Sequence, residues 1–316
     1  MKSFGPIPSR RLGRSLGVNN IPPKICTYSC AYCQQGFSSK MQIARQAFYD
    51  PMEIFQEVKD RINRITNAGE KIDYLSFVPD GEPTLDINLG KEIELLKTLG
   101  IKIAVITNAS LLWDKDVREQ LNKADWVSVK VDAVDEEIWR RIDHPVKGLS
   151  LNTILDGITK FSREFTGELF TETMLVKGIN DTDTSLENTA SFIATLNPII
   201  AYLSIPTRPP ADKRIEIPDE NKINTSYQIF SKHLDKVEYL IGYEGNDFTF
   251  SGNTEEDILS ITSVHPMRKD AVLEFLAKAG ADYSIITNLV KENKLVQLDY
   301  DGSTFFMRKL FEKYKR

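Results

Sequence analysis

Apolar and polar positions along the chain follow a strand-then-helix rhythm. Asp50-Pro51-Met52-Glu53 is a helix start, with Asp as N-cap, Pro at the first helical position and Glu placed to close a capping box. Ile54, Phe55, Val58, Ile62 and Ile65 then share one helical face, and Gly69 ends the run. Tyr74–Val78 reads as a strand, followed by a Gly/Pro-rich turn and a helix over Leu89–Leu99. The spacing next predicts strand Ile101–Ile106, helix Asp114–Lys123, strand Trp126–Val131, helical segments Asp135–Ile142 and Leu151–Phe165, strand Leu169–Val176, helix Ser185–Leu196 and strand Ile199–Ile205. Near-continuous apolar strands between amphipathic helices predict a parallel sheet buried on both faces. One further strand before Cys26 makes six βα units. The expected fold is therefore α/β, a partial (β/α)6 TIM-like barrel with its chemistry at the C-terminal ends of the strands.

The polar, Pro-rich Arg208–Pro218 marks the exit from this unit, so the expected division is a barrel over 1–215, a connecting region over 216–262 and a small domain over 263–316. In the last, helix Met267–Lys278, helix Asp282–Glu292 and two alternating runs, Leu295–Tyr300 and Ser303–Leu310, flank Asp301-Gly302, a strong hairpin signal. Two helices and a hairpin predict an α+β, winged-helix-like module for packing or substrate docking, with nucleic-acid binding as the sharper alternative.

At 316 residues, 41% hydrophobic and 27% charged, the chain has material for a full core. No run is long and apolar enough to span a membrane, and residues 1–18 are basic without an apolar signal core, so the cytoplasm is the expected compartment and no membrane partner is expected. The net charge of −5 hides a gradient. Residues 1–49 hold seven basic and no acidic residues, a local +7, and the tail from Pro266 holds ten basic and seven acidic, a local +3. A strongly acidic middle argues against indiscriminate nucleic-acid binding.

The three cysteines, Cys26, Cys30 and Cys33, fall within eight residues, and the 283 residues after Cys33 contain none. That placement points to a ligand cluster. Zinc would want a fourth ligand, and His144, His233 and His265 have no zinc-like local spacing. Three thiolates on a four-iron cube would leave one iron open to a small chelating ligand. Cys-x-x-x-Cys-x-x-Cys, with Tyr32 just before the last cysteine, resembles the radical S-adenosylmethionine superfamily.

The resemblance implies a [4Fe–4S] cluster, S-adenosylmethionine chelated at the open iron, and reductive cleavage of that cofactor to methionine and a 5′-deoxyadenosyl radical that abstracts hydrogen from substrate. It also implies an external electron donor such as flavodoxin or ferredoxin. Asp80-Gly81-Glu82-Pro83-Thr84 resembles the family's Gly-Gly-Glu-Pro loop, with Asp80 in place of the first glycine, and implies a cofactor-binding turn. Asn108, at the end of the third strand, is a candidate for the cofactor carboxylate or else a turn residue. Lys130 and Asp132 are charges in an apolar strand, costly unless paired or working; they read as cofactor contacts or as an ion pair across the barrel mouth. Ile205 offers an apolar wall to the adenine. Arg10, Arg11, Arg14 and Arg208 are candidates on the substrate side, or charges that ease cluster reduction.

Gly5–Gly17, Val78–Asp86 and His265-Pro266-Met267-Arg268 together are similar to a prokaryotic, wyosine-synthase-like branch of the superfamily. With three cysteines in all, no thiolates remain for the second cluster with which wyosine synthases engage pyruvate. Wyosine-base synthesis by that chemistry is therefore not expected, and the net charge of −5, the acidic middle and only +3 on the tail make a small anionic substrate the expectation. A tRNA-modifying enzyme and an iron–sulfur redox regulator that binds nucleic acid through its C-terminal module are the alternatives.

Overall fold

The computed structural model describes residues 2–242, 245, 246, 248–250 and 252–309. Leu310, the expected end of the last strand, lies outside the described residues, as do the other terminal residues of the expected first and last domains. The main body is one eight-stranded sheet: β1 (Ser3–Ser9), β2 (Gly13–Val18), β3 (Tyr74–Phe77), β4 (Lys102–Thr107), β5 (Trp126–Lys130), β6 (Glu168–Met174), β7 (Ile200–Ser204) and β8 (Val237–Leu240). Spatial order equals chain order. β1 pairs antiparallel with β2, and every later neighbour is parallel, for example Lys130 on β5 beside Glu172 on β6. The sheet curls into a half-barrel.

Helices α1 (Pro51–Asn67), α2 (Leu89–Lys97), α3 (Lys115–Leu121), α4 (Glu136–Asp143), α5 (Leu151–Glu164), α6 (Asp183–Leu196) and α7 (Glu220–His233) follow in the same chain order. The start of α1 forms as its residues dictate: the Asp50 side chain accepts from Met52 N, and Pro51 takes the first helical position. Its apolar stripe, Ile54, Val58 and Ile65, is fully buried in the core with Leu75, Phe77, Ile103, Val105 and Val127 of the strands. Burying each such side chain contributes about 1.5–3 kcal/mol.

The structure extends the expected barrel at both ends. β1 carries Pro6 and Pro8, residues that fit a strand only at an edge, and α7 with β8 occupies the stretch expected as a connection. Beyond it come α8 (Thr254–Thr262), β9 (Met267–Arg268), α9 (Lys269–Ala279), α10 (Ser284–Lys291) and the hairpin β10 (Leu295–Tyr300) and β11 (Ser303–Arg308), with β11 between β9 and β10. This C-terminal module shares one apolar core with Phe4 and Ile7 of β1. Arg61 of α1 ion-pairs with Asp257 of α8 at 3.2 Å, both buried. Among the described residues no helix is long and apolar enough to cross a membrane.

Behind the turn that follows β3, Asp86 and Glu92 lie buried side by side. Burial first, and then the Asp86 carboxylate, push Glu92 up to about 9. Folded Glu92 thus keeps a proton that the unfolded chain releases near ~4.3. The stability it contributes is complete below the lower value and is lost as pH rises through the upper one. Glu92→Gln, whose amide does not titrate, should match the wild-type thermal midpoint at pH ~4 and exceed it near pH ~9. Parallel midpoint–pH curves for the two proteins would contradict this.

Candidate functional site

A single cavity of about 310 Å³ opens at the carboxyl ends of the parallel strands. The cysteine loop forms one wall. Ile25–Cys26 pairs with Lys40–Met41, and the loop beyond is pinned to the end of α4 by Ser29 N donating to Asp143 O and Ala31 N to Ile142 O, at 3.1 and 2.9 Å. All three cysteines are half-buried and line the cavity. Burial and then Glu82 push the Cys26 thiol up to about 12; burial and then Asp143 raise Cys30; burial raises Cys33, with Lys24 pulling the other way. As neutral thiols they bond separately. Cys30 Sγ donates to Asp143 Oδ1 at 3.4 Å, and Cys26 Sγ accepts from Asn108 Nδ2 at 3.5 Å. Among the described residues no three Cys, His, Asp or Glu side chains converge as a preformed metal site. The donor set nevertheless fits an anionic iron–sulfur core: three thiols of one loop face one cavity, with Lys24 and Lys130 on its lining. Loading must displace the thiol protons.

The Asp80–Pro83 turn forms the second wall. Gly81, at φ 151°, is required because a Cβ there would sit 2.0 Å from the Ile25 carbonyl oxygen. Its small size thus admits the cysteine strand, and Glu82 N donates to that same carbonyl at 3.1 Å. The Glu82 side chain, 1% exposed, is committed internally. Oε1 accepts from Thr84 N, Thr84 Oγ1 and Thr107 Oγ1 at 3.0, 2.6 and 2.6 Å, and Oε2 accepts from Asn108 N at 2.8 Å. Burial raises its pKa, and these donors pull it back. Asp80 ion-pairs with Lys24 at 3.2 Å; burial raises this carboxyl to about 6 against the lysine's pull.

The far side is a charge cluster. Glu172 Oε2 accepts from Arg11 Nη1 at 2.6 Å, and Oε1 from Lys130 Nζ and Ser204 Oγ at 3.3 and 3.1 Å. Burial pushes Glu172 up, but Lys130 and Arg11 outweigh it and hold the carboxyl down to about 2. Burial likewise opposes the Lys130 charge, and Asp132 with Glu172 raises its pKa well above the ordinary lysine value. The Lys130 ammonium also sits 4.7 Å over the Tyr32 ring.

Cys26, Cys30, Cys33, Tyr32, Asp80, Gly81, Glu82, Asn108, Lys130, Ile205, Arg10, Arg11 and Arg208 all line this one cavity. Three candidates do not. Pro83 starts a buried 3-10 turn behind the wall. Asp132 borders a small side chamber with Trp139 and Asp143, its oxygens accepting from Tyr32 Oη and Met174 N. Arg14 ion-pairs with Glu70 away from the cavity. Lys24, Thr107, Glu172 and Ser204 were not singled out from sequence, yet they line it. Glu172 carried the same signal as Lys130, a charge inside an apolar strand.

Residues 20–193 match the model of the radical SAM superfamily. Over 310 residues the chain is 50% identical to a UPF0026 protein of Methanocaldococcus jannaschii, covering 98% of this chain and 96% of that protein. A UPF0026 protein of Synechocystis is 37% identical over 217 residues, 67% of this chain and 78% of its own. In fold, the crystal structure of Streptococcus suis SuiB bound to S-adenosylmethionine is similar over 72% of this chain and 50% of that one, with a TM-score of 0.51 at 13% identity.

Removing Glu172 would leave Lys130 and Arg11 facing each other, partly buried. Glu172→Ala should cost about 3–5 kcal/mol of stability, read as a lowered midpoint in urea unfolding. A change under ~1 kcal/mol would show that the cluster is too well solvated to matter.

Proposed function

Because the chain belongs to the radical SAM superfamily, and within it to the UPF0026 proteins, we propose that it cleaves S-adenosylmethionine reductively and turns the resulting radical on a small anionic substrate. The observation that carries this reading is the convergence of the cysteine loop, the Gly81–Glu82 turn, Asn108 and Lys130 on one cavity. When bound, a reduced [4Fe–4S] cluster and S-adenosylmethionine supply methionine and a 5′-deoxyadenosyl radical that takes a hydrogen atom from substrate.

The chain's own residues hold and shield these groups. Cys26, Cys30 and Cys33 provide the thiolates, and Lys24 and Lys130 offset the anionic charge they create. The Asp80–Glu82 turn offers backbone acceptors to an ammonium. Asn108 Nδ2, which donates to Thr27 Oγ1 at 2.8 Å, is already oriented toward the cysteines. Lys130 offers a charged donor for the cofactor's carboxylate or ribose, with Tyr32 and Ile205 as apolar walls and Asp132 and Pro83 as supports behind them. Arg10, Arg11 and Arg208 bring positive charge to the substrate end. The electron comes from an external one-electron donor of the flavodoxin or ferredoxin kind.

A small substrate is favoured over tRNA because the C-terminal module packs against the rim. Gln34 Nε2 donates to Val264 O at 3.2 Å, and Tyr300 Oη donates to Pro206 O at 2.9 Å.

Anaerobic reconstitution with iron and sulfide, followed by S-adenosylmethionine and a strong reductant, should yield 5′-deoxyadenosine. Cys30→Ala should lose iron loading and that product together; full loading with unimpaired cleavage would sink the ligand assignment. In Lys130→Ala, S-adenosylmethionine affinity should fall roughly tenfold to a hundredfold, the cost of about 1.5–3 kcal/mol for a lost charge-assisted bond. Unchanged affinity in a folded variant would confine Lys130 to the Glu172 cluster.

A further inference from the structure

The cysteine loop has two sides, and one of them faces away from the cavity. Gly36 and Ser38 line the cavity, but Phe37 between them does not, and its side chain is 51% exposed. The backbone fixes that exposure. Ser38 N donates to Ser29 Oγ at 3.1 Å and Ser38 Oγ to Tyr28 O at 2.6 Å, so Phe37 stands on a turn tied back to the loop itself. Three lysines stand on segments bonded to the same loop. Lys40 N donates to Lys24 O at 3.1 Å; Lys147 follows Val146, whose N donates to Thr27 O at 2.9 Å; Lys213 follows Asp212, whose N donates to Ala31 O at 2.9 Å. All three are exposed, none lines the cavity, and none has an ion-pair partner among the described residues. Asp212, the acid beside Lys213, is taken up by Arg214 at 2.7 Å.

The chain as a whole carries a net charge of −5, so an acidic macromolecule is repelled except where positive charge is left unpaired. The lysines thus select the charge of a partner, and the loop limits what that partner can deliver. A molecule docked on the outer side cannot place its own atoms in the cavity, whereas an electron can cross a wall one loop thick. RNA bound here would hold its bases on the wrong side of that wall. Weak redox encounters use small interfaces, below about 1,200 Å², and for these one aromatic and three lysines are a sufficient footprint.

We propose that the outer side of the cysteine loop, Phe37 with Lys40, Lys147 and Lys213, is the docking surface for a small acidic one-electron carrier of the flavodoxin or ferredoxin kind. Its purpose rests on the proposed function. One electron leaves the carrier, which is oxidised by one, and enters the cluster held by Cys26, Cys30 and Cys33, which is reduced by one, with no atom transferred. The docking itself stands on the surface and needs no cluster. The lysines draw the carrier in, and Phe37 holds it.

The test measures association of the full chain, purified without a cluster, with oxidised bacterial flavodoxin and, separately, a [2Fe–2S] ferredoxin by biolayer interferometry at stepped sodium chloride. A one-to-one complex with at least one carrier is expected, weakening as salt rises. All four side chains are exposed, so their variants should fold. Reversing the lysines together, Lys40→Glu with Lys147→Glu and Lys213→Glu, should slow association on the order of tenfold to a hundredfold with little change in dissociation, because such charges act on encounter. Phe37→Ala should instead speed dissociation. The same charge change on other exposed elements, Lys71→Glu with Lys91→Glu and Lys291→Glu, should do neither. Binding of neither carrier by the wild type, unchanged association in the first triple variant, unchanged dissociation in Phe37→Ala, or an equal loss in the second triple variant would overturn the proposal. So would tRNA binding that the first triple variant loses, since the surface would then serve RNA. After reconstitution, that variant should form 5′-deoxyadenosine normally with dithionite and slowly with the reduced carrier. No product from the wild type with dithionite would sink the proposed reaction and leave the docking results standing.

Discussion

One carboxylate organises the working end of the sheet. Glu82 is buried and accepts four hydrogen bonds, tying its own turn to the end of β4. A buried charge is tolerated only when its lone pairs are satisfied, so those donors have to be where they are. Their positions set the rest. Asn108 is oriented by its backbone bond to Glu82 and passes that orientation to Thr27 and Cys26. The same turn presents Gly81, against which Ile25 lies with almost no clearance. The cysteine loop, which has little regular structure of its own, is thereby docked on a rigid strand end rather than left to find its place.

The cavity opposite is built on charge balance rather than apolar contact. Glu172, Lys130 and Arg11 form a cluster in which each member is poorly solvated and depends on the others. Such clusters contribute little net stability compared with apolar packing of the same volume, but breaking one is costly. Their use is geometric. Lys130 is fixed over the Tyr32 ring, one residue before Cys33, so that positive charge stands beside the thiols without being free to collapse onto them. Lys24, paired with Asp80, does the same from the other side.

Much of this was legible in the sequence. The alternation of apolar strands with capped helices predicts the parallel sheet; five of its strands fall where the periodicity puts them, and β2 takes the place of the further strand expected before Cys26. β1 and β8 escaped for different reasons. Pro6 and Pro8 disguise an edge strand, whose outer side needs no ladder partners, and Val237–Leu240 is too short for a period to show. Among the thirteen candidates that share the cavity, the cysteines stand out as clustered thiols and Lys130 as a charge in an apolar strand, whereas the Asp80–Glu82 turn follows from the resemblance to the superfamily's loop. Glu172, inside the strand expected over Leu169–Val176, carries the same signal; what the sequence hides is its pairing with Lys130, because strand register is invisible before folding. Arg14 shows the converse. In sequence it belongs to a basic run with Arg10 and Arg11, but those two lie in the turn between β1 and β2, whereas Arg14 stands on β2 and is spent on Glu70.

The C-terminal module follows the same logic at larger scale. Its core is continuous with Phe4 and Ile7 of β1, so it covers one edge of an open sheet that would otherwise present unpaired backbone to solvent. Arg61 and Asp257 lock the join with a buried ion pair. The module stands behind the cavity wall and braces it: Val264, His265 and Tyr300 bond to Gln34, Arg208 and Pro206, which line the cavity. This makes the edge protection and the site a single arrangement. The same packing that keeps β1 from pairing with another chain sets the position of the imidazole that holds Arg208, so a change in the module's core would be felt at the substrate end of the cavity before it was felt at the cysteines.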